Sequence, residues 1–464
     1  MKKILSIVLT LCIALGLTST LAEKHFTAGT YEGTGEGFGG ELVANVEVSD
    51  SEILKVEITE HSESAGISDG AIEKIPEEIV KLQTVNVDSV SGATFSSDAI
   101  KEAVKKALIK AGGAEEYITR HVEKEAKEAG ELKTAEYDII IIGAGGAGMS
   151  AAFEAKKAGA NVVVLEKTDH IGGNTLLAGS AMNAADPARQ KKYSMGQSEI
   201  DKIEELINLE PKNELMKSWQ DAVAKDMEEY KANGETYLYD SPALHKLQTY
   251  VGGDYVADPA LVEILCGKAL ESVNYLEENG AVWKDGVTTA VGATWMRSHN
   301  PTLDLGTAGA SFVLPQSNGY KKLGGEVLFD HKVDKLEKDE NGRVSIVKGS
   351  MSDGTPFEYK ASKAVLIATG GFGANVEMRQ KYNKHWEDLG ENIATTNVPT
   401  ATGDGILLAE DVGANLVGME WIQLIPTSRD SFTAGINNSI FVNKSGERFV
   451  REDGRRDELS AAVL

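Results

Sequence analysis

The chain has 464 residues, enough for two or three domains, and its 42% hydrophobic and 25% charged residues are typical of globular proteins. It carries 47 Lys and Arg against 71 Asp and Glu, which gives a net charge of −24. Nucleic acid and anionic membranes are therefore not expected as partners, because both are bound through clustered Lys and Arg.

The first 22 residues have the pattern of a signal peptide. Lys2 and Lys3 precede an apolar stretch at 4–17, and the small residues Thr20 and Ala22 fit cleavage after residue 22. The stretch is short for a bilayer span, and an uncleaved anchor is the open alternative. We expect an exported chain, secreted or held outside the cytoplasm.

Residues 23–112 are predicted to form a small α+β domain. After a glycine-rich opening, residues 42–48 and 53–58 alternate in apolar character like paired strands, and residues 71–82 and 97–111 have helical patterns. The second helix follows the sequence DSVSGATFSS at 88–97. Thr94 is thus predicted beside a helix N-terminus, capped by Ser96 or Ser97, where backbone N–H groups favour a phosphate.

This ten-residue run resembles the acceptor sequence at which a flavin transferase esterifies FMN to a threonine. The resemblance implies covalent FMN on Thr94, an acceptor motif that includes Ser91, Gly92 and Ala93, and a flavin transferase as partner. That transferase works outside the cytoplasm, in agreement with the predicted export. The plain alternative is a polar turn before a helix.

Residues 113–133 are predicted to be a helical linker. The sequence at 114–136 is rich in Glu, Lys and Ala and lacks a continuous apolar face, which is typical of a solvated helix between domains. We expect it to act only as a spacer.

A dinucleotide-binding unit is predicted from residue 138 onwards. A buried strand at 138–142 leads into the motif GAGGAG at 143–148, a helix, a second strand at 161–165 and then Glu166. The glycines permit a tight turn and a close approach of a pyrophosphate. An acidic residue 18 positions after the last glycine is placed to accept hydrogen bonds from ribose hydroxyls.

Further stretches are similar to the flavoprotein subunit family of fumarate reductases and its secreted relatives. They lie at residues 166–175, 178–183, 364–373, 402–405, 420–427 and 446–450. The resemblance implies an α/β fold with a Rossmann-like FAD-binding domain at 134–420 and the start of a substrate cap domain at 421–464. Within the FAD domain we expect a helical insertion at 190–320 and a strand meander that returns to the main sheet at 364–368.

The helical insertion contains several aromatic residues. They are predicted to be packing anchors, with a pocket entrance as the alternative: Trp219, Tyr230, Tyr237, Tyr239, Tyr250 and Tyr255. In the same region, Cys266 has the helical periodicity of a core residue. Since it would be the one cysteine left after signal removal, no internal disulfide is expected.

FAD is expected to bind without a covalent bond. The motif and the resemblance together imply contacts at Gly143, Gly145, Ala147, Gly148, Glu166, Gly173, Asn174, Thr175, Gly179, Val333 and Asp404. No pattern in the sequence predicts a metal site.

The expected chemistry also comes from the resemblance. In the family, the flavin delivers a hydride to an activated C=C bond and an arginine gives the proton, and that arginine matches Arg456. A guanidinium normally stays protonated, so it acts as an acid only if a carboxylate such as Glu452 or Asp457 returns protons to it. The alternative is that Arg456 is a surface charge. His299 could line the site or be structural.

Two departures from the family pattern affect the expected function. Fumarate reductases have a histidine for a substrate carboxylate where this chain has Ile425, which favours an acid with one carboxylate, such as urocanate. The family's cap domain continues past the donor arginine, whereas this sequence stops at Leu464. We therefore expect a fragment or an interrupted reading frame.

Taken together, these patterns predict an FAD- and FMN-dependent oxidoreductase of α,β-unsaturated carboxylates that serves anaerobic respiration. Its electrons would come from an extracytoplasmic or membrane donor. Two alternatives stay open: an FAD dehydrogenase or oxidase of the ketosteroid-desaturating type, and a flavin electron-transfer protein without turnover of its own.

Overall fold

A computed structural model describes residues 24–37, 39–63, 68–90, 93–122, 129–179, 181–290, 293–305, 307–425, 440–452 and 454–464, with the backbone alone at 69, 94 and 95. The predicted signal peptide at 1–22 lies outside these residues. The chain divides into two compact units, Met1–Glu125 and Ala126–Leu464.

The first unit is a three-stranded antiparallel sheet packed against helices. The strands are β1 (Gly29–Gly37), β2 (Gly40–Val48) and β3 (Ile53–Glu60), in the order β1-β2-β3. The helices are α1 (Asp69–Leu82), α2 (Thr94–Lys110) and the single turn α3 (Glu115–Ile118). Alternate residues of β2 are buried under α2, as period-two patterning predicts.

Helix α2 lies directly against strand β1 at two glycines. A Cβ atom on Gly33 would stand 2.0 Å from the carbonyl oxygen of Ala103, and one on Gly35 would stand 2.0 Å from that of Ala99. Any side chain there would push the helix off the sheet. The glycine-rich opening of this domain is therefore largely the strand β1.

The start of α2 differs from the sequence prediction. The N-cap residue is Ala93, and neither Ser96 nor Ser97 caps the helix. The Ser97 hydroxyl accepts a hydrogen bond from the Val90 N–H at 3.0 Å, and the Ser96 hydroxyl donates to the Glu63 carboxylate. Both serines are engaged by residues outside the helix.

The predicted linker at 113–133 is helical only at Glu115–Ile118 among its described residues, and Ile118 is fully buried in the core of the first unit. Strand β4 (Lys133–Ile142) begins at its end. The cause is pairing with β11 (Pro356–Ile367), since Lys133–Tyr137 align in parallel with Phe357–Ala361. Ladder hydrogen bonds outweigh the helical propensity of the Glu- and Lys-rich sequence.

The second unit is built on a six-stranded mixed sheet in the order β8-β5-β4-β11-β10-β9. Strands β4, β5 (Val162–Leu165), β8 (Glu326–Leu328) and β11 run parallel, whereas β9 (His331–Lys338), β10 (Val344–Met351) and β11 form the expected antiparallel meander. Strand β11 belongs to both parts, so the meander returns to the main sheet without a break.

Helices surround this sheet and form the insertion. They are α4 (Gly146–Lys157), α5 (Asn174–Leu177), α6 (Pro187–Gln190), α7 (Gln197–Asn208), α8 (Glu214–Ala232), α9 (Pro242–Gly252), α10 (Pro259–Glu278), α11 (Leu314–Lys322), α12 (Val376–Tyr382), α13 (Asp404–Asp411) and α14 (Arg456–Val463). A 3₁₀ turn occupies Gly309–Phe312, and β6 (Met182–Asn183) pairs with β7 (Ser298–His299). The α/β fold predicted from the sequence is confirmed.

The helical insertion has its own core, formed mainly by α7 to α10. The aromatic residues predicted as packing anchors all belong to it, four of them buried and two partly buried, and Cys266 is buried among them. His299 is fully buried, with its Nε2 3.2 Å from an Asp186 carboxylate oxygen, and is therefore structural. Arg297 and Asp240 form a buried ion pair nearby, at 2.9 Å.

Among the described helices, none combines the length and the apolar character that a membrane span requires.

Replacing Gly35 by Ala should destabilise the first unit by more than about 2 kcal/mol, because the new methyl group meets a backbone oxygen that cannot move alone. Hydrogen exchange should accelerate in β1 and α2, with peptides of the second unit as an internal reference. The matched control is Gly70→Ala in α1, where the nearest atom would be Val90 Cγ1 at 3.5 Å. Equal exchange in both variants would contradict the close contact.

Candidate functional site

A cavity of about 540 Å³ opens at the carboxyl ends of β4 and β5. The loop at 143–145 and the start of α4 form one side, and the first residues of α13 form another. In open α/β sheets this is the edge where ligands bind. The first N–H groups of α4 have no partner within the helix and favour an anion.

The loop after β4 is shaped by glycines. Gly143 has φ +104°, and a Cβ there would lie 2.6 Å from the Ala368 carbonyl oxygen at the end of β11. A Cβ on Gly148 would lie 1.9 Å from the Gly143 oxygen. Gly148 thus packs α4 against the loop. Gly145 lines the cavity, and a Cβ there would lie 3.7 Å from its nearest neighbour, the Gly172 oxygen.

Glu166, the acidic residue at the end of β5, holds this loop in place. One carboxylate oxygen accepts a hydrogen bond from the Ala144 N–H at 2.8 Å, and the other accepts from the Thr168 N–H at 3.0 Å. The Thr168 hydroxyl donates to that second oxygen as well, at 2.9 Å. The oxygen that accepts from Ala144 has another lone pair, with which Glu166 can accept from a ribose hydroxyl.

The short helix α5 closes the cavity on the side of α4. The Thr175 hydroxyl accepts from the Gly146 N–H at 3.1 Å, at the first residue of α4. The Asn174 side chain is held by the loop at 395–398, donating to Asn397 Oδ1 at 2.6 Å and accepting from the Val398 N–H at 2.7 Å. Both residues line the cavity.

Asp404, the first residue of α13, forms an ion pair inside the cavity wall. Lys167 Nζ lies 2.8 Å from Asp404 Oδ2 and 3.0 Å from Thr402 Oγ1. Burial raises the pKa of Asp404, but the hydrogen bonds from Lys167 and Thr402 outweigh burial, so the net pKa lies below its usual value of 3.8. At neutral pH this wall therefore contains a paired carboxylate and a paired ammonium.

Most of the predicted FAD contacts come together here. The residues that line the cavity are Gly143, Gly145, Ala147, Glu166, Gly173, Asn174, Thr175, Val333 and Asp404. Gly148 is buried behind the loop, and Gly179 is exposed and lies outside the cavity lining. The cavity is also lined by Lys167, Gly370 and Gly371, which were not predicted as FAD contacts. The two glycines could have been predicted, because they closely follow a parallel strand, where ligands bind.

The cavity has room for flat groups close to the backbone. A Cβ atom on Gly173, Gly370 or Gly371 would meet nothing within 4 Å, and all three glycines line the cavity. Backbone N–H groups, an acidic residue for ribose and open space above glycines are what a dinucleotide requires. The residues present fit FAD.

The FMN acceptor segment lies at the start of α2. Thr94 is the first helical residue, and Ala93 before it is 3% exposed. Ser91 and Gly92 lie outside the described residues. The first turn of α2 carries N–H groups without intrahelical partners, which suits a phosphate ester.

The predicted proton donor, Arg456, begins α14, with its Nη1 donating to Gln423 Oε1 at 3.1 Å. It is not among the residues that line the cavity. Its neighbour Arg455 is fixed by both carboxylate oxygens of Asp254, each at 2.8 Å, and by Asp457. The ion pair of Arg455 with Asp254 therefore connects the residue before Arg456 to the helical insertion.

Both carboxylates predicted to return protons to Arg456 accept hydrogen bonds from other arginines. Glu452 accepts hydrogen bonds from Arg448, which lowers its pKa to about 2, so it is ionised at neutral pH. Asp457 accepts from Arg455. Ile425 is 41% exposed, and the segment that follows it, residues 426–439, lies outside the described residues.

Known families match both predicted flavin-binding domains. The FAD binding domain family matches residues 138–239 and 235–464. The chain belongs to the FAD binding domain family. The FMN-binding domain family matches residues 37–109, which include Thr94. FAD and FMN, the cofactors predicted from the sequence, are thereby confirmed, whereas the attachment residue and the exact domain boundaries stay predictions.

Named relatives share most of this chain. The NADH:acrylate oxidoreductase of Vibrio harveyi is 37% identical over an alignment of 466 positions that covers 95% of this chain and 45% of that protein. The urocanate reductase of Eggerthella lenta is 35% identical over an alignment of 447 positions that covers 94% of this chain and 65% of that protein. The chain thus spans less than two thirds of the length of either relative.

A solved structure has a related architecture. The open conformation of a flavocytochrome c3 fumarate reductase superposes with a TM-score of 0.53 at 26% identity, over 73% of this chain and 52% of that chain. The resemblance to the fumarate reductase and urocanate reductase family, first drawn from the sequence, is confirmed.

Replacing Gly371 by Val should block FAD without harming the fold. Its φ lies outside the left-handed region, and the new side chain would enter open space in the cavity. We expect the dissociation constant for FAD to rise at least about tenfold, or about 1.4 kcal/mol, in a fluorescence titration. The unfolding temperature of the second unit should not change. Tryptophan fluorescence reports on that unit, because all five tryptophans lie at residues 219–421.

The matched control is Gly252→Val, at an exposed position that is equally open but outside the cavity lining. Wild-type FAD affinity in the Gly371 variant would show that the dinucleotide binds elsewhere.

Proposed function

We propose that the chain carries out, as such or within a longer protein, the flavin-dependent reduction of the C=C bond of a small α,β-unsaturated carboxylate. One observation carries the proposal: a single chain matches both an FMN-binding domain and the FAD binding domain family. The names of its relatives, which include an acrylate oxidoreductase and a urocanate reductase, support the same class of reaction.

When bound, FAD supplies the hydride for such a bond and FMN supplies a second station for the electrons. The chain supplies the binding and the orientation. The start of α4 would hold the pyrophosphate through its N–H groups, the glycines of the loop at 143–145 would let it come close to the backbone, and Glu166 would accept from the ribose. The ion pair of Lys167 with Asp404 keeps the opposite wall close to neutral.

Arg456 is the proposed proton donor. Its positive charge would also stabilise the charge that develops beside the substrate carboxylate. Hydrogen bonding to Gln423 orients the guanidinium, and the pair of Arg455 with Asp254 fixes the chain just before it. Since Glu452 is ionised and bound to Arg448, the proton that replaces the one transferred comes from another group or from water.

The proposed substrate has one carboxylate. Ile425 stands where a fumarate reductase has a histidine for the second carboxylate, and an isoleucine offers no hydrogen bond. Urocanate and acrylate satisfy this condition. The net charge of −24 does not oppose an anionic substrate, because a substrate meets the local charge of its pocket.

Covalent FMN at Thr94 is the second part of the proposal. Joining FMN to threonine by loss of water is unfavourable in water, so the donor must be a flavin dinucleotide. The Thr94 oxygen forms a bond to the FMN phosphorus, the pyrophosphate P–O bond breaks, and adenosine monophosphate leaves with the hydroxyl proton. A flavin transferase catalyses this exchange outside the cytoplasm, which agrees with the signal pattern at 1–22.

The physiological role that we propose is anaerobic respiration with the alkene as electron acceptor. Electrons come from an extracytoplasmic or membrane donor. The export pattern of the sequence and the two flavin-binding families on one chain support this arrangement.

Anaerobic reoxidation of the reduced chain tests the activity. We expect urocanate or acrylate to restore the absorbance of oxidised flavin, and fumarate to be slower. Arg456→Gln should lower the rate by about 10² to 10⁴, the usual contribution of a general acid. Arg451→Gln, an exposed arginine in the same segment, is the control and should keep the wild-type rate.

Each alternative predicts a different result. Failure of all three acids to reoxidise flavin that an artificial dye reoxidises would favour an electron-transfer protein. Bleaching of oxidised flavin by a saturated ketosteroid would favour a dehydrogenase.

A further inference from the structure

We infer that Glu63 is a positioning residue for the FMN attachment site, acting through Ser96 on the first turn of α2. This inference rests on the proposed attachment of FMN to Thr94. Nothing in the acceptor sequence at 88–97 points to Glu63, which precedes Ser96 by 33 residues.

The Glu63 carboxylate joins two separate parts of the first unit. One oxygen accepts a hydrogen bond from the Gly39 N–H at 2.8 Å, in the turn between β1 and β2. The other accepts from the Ser96 hydroxyl, two residues after Thr94. Gly37 makes room for it, since a Cβ there would lie 2.3 Å from Glu63 Oε1.

Burial makes this arrangement unusual for a carboxylate. Glu63 is 8% exposed and Ser96 is 4% exposed. Within the described part of the chain, Glu63 forms no ion pair with a Lys, Arg or His. Removing a carboxylate from water without a cation costs free energy, and the hydrogen bonds from Gly39 and Ser96 offset part of that cost. These bonds hold the carboxylate in one orientation.

The hydrogen bonds of Glu63 act where the acceptor residue enters the helix. The first turn of α2 is held at two points, by Ser96 to Glu63 and by Ser97 to the Val90 N–H. The rest of α2 is fixed independently by its contact with β1 at Gly33 and Gly35. Loss of the Glu63 bond should therefore loosen the first turn, with the Thr94 backbone in it, while the helix stays docked.

The test measures the rate at which purified flavin transferase and FAD modify the purified chain, by intact mass. Wild type should gain one FMN group and Thr94→Ala none. We expect Glu63→Gln, which leaves one acceptor oxygen, and Ser96→Ala, which removes the donor, each to slow modification about tenfold. Ser96→Thr retains the hydroxyl and should restore most of the rate.

Two controls separate positioning from general instability. Glu60→Gln changes an exposed carboxylate at the end of β3 and should react like wild type. The double variant of Glu63→Gln and Ser96→Ala should be no slower than the slower single variant, because both remove one interaction.

The outcomes are distinguishable. If wild type gains no mass at Thr94, the proposed attachment is wrong. If wild type is modified and Ser96→Ala reacts at the wild-type rate, the role of Glu63 is overturned, even where Glu63→Gln itself unfolds. Additive slowing in the double variant, or failure of Ser96→Thr to restore the rate, would also overturn it.

Discussion

Direct contact between a helix or strand backbone and a glycine positions the candidate site in each unit. In the first unit, Gly33 and Gly35 let α2 rest on β1, which fixes the helix that begins at Thr94. In the second unit, Gly143 and Gly148 bring the end of β11, the loop after β4 and the start of α4 together. None of these contacts leaves room for a methyl group, so the backbones on its two sides are held at a short, fixed distance.

Local charge, and not the net charge, determines what these termini can bind. The chain is strongly acidic, yet the cavity in the second unit lies at the start of helix α4, and its carboxylates Glu166 and Asp404 are hydrogen-bonded. Glu166 accepts from backbone N–H groups, and Asp404 is paired with Lys167. Near the acceptor threonine, Glu63 is likewise held by hydrogen bonds. Fixed carboxylates of this kind orient neighbouring groups, and the pairing of Asp404 with Lys167 also balances one negative charge in the cavity wall.

The sequence predicted those parts of the structure that depend on short stretches. The strand, glycine motif, helix and acidic residue at 138–166 are contiguous, so their pattern was sufficient, and most of the predicted contacts line one cavity. Long-range pairing decided the rest. Residues 133–137 form a strand because β11 lies beside them, although they are separated from it by more than 200 residues. Ser96 lies inside the first turn of α2 and not at its cap, and its hydrogen bond to Glu63 could not be predicted because the two residues are 33 positions apart.

The central claim is that one chain holds two flavins in different ways, and the direct test is a count. Purified chain, made together with the transferase, should contain two flavins per polypeptide by absorbance. Acid precipitation should release one of them as FAD and leave the other, FMN, with the protein. A single flavin per chain, or release of both flavins by acid, would contradict the account.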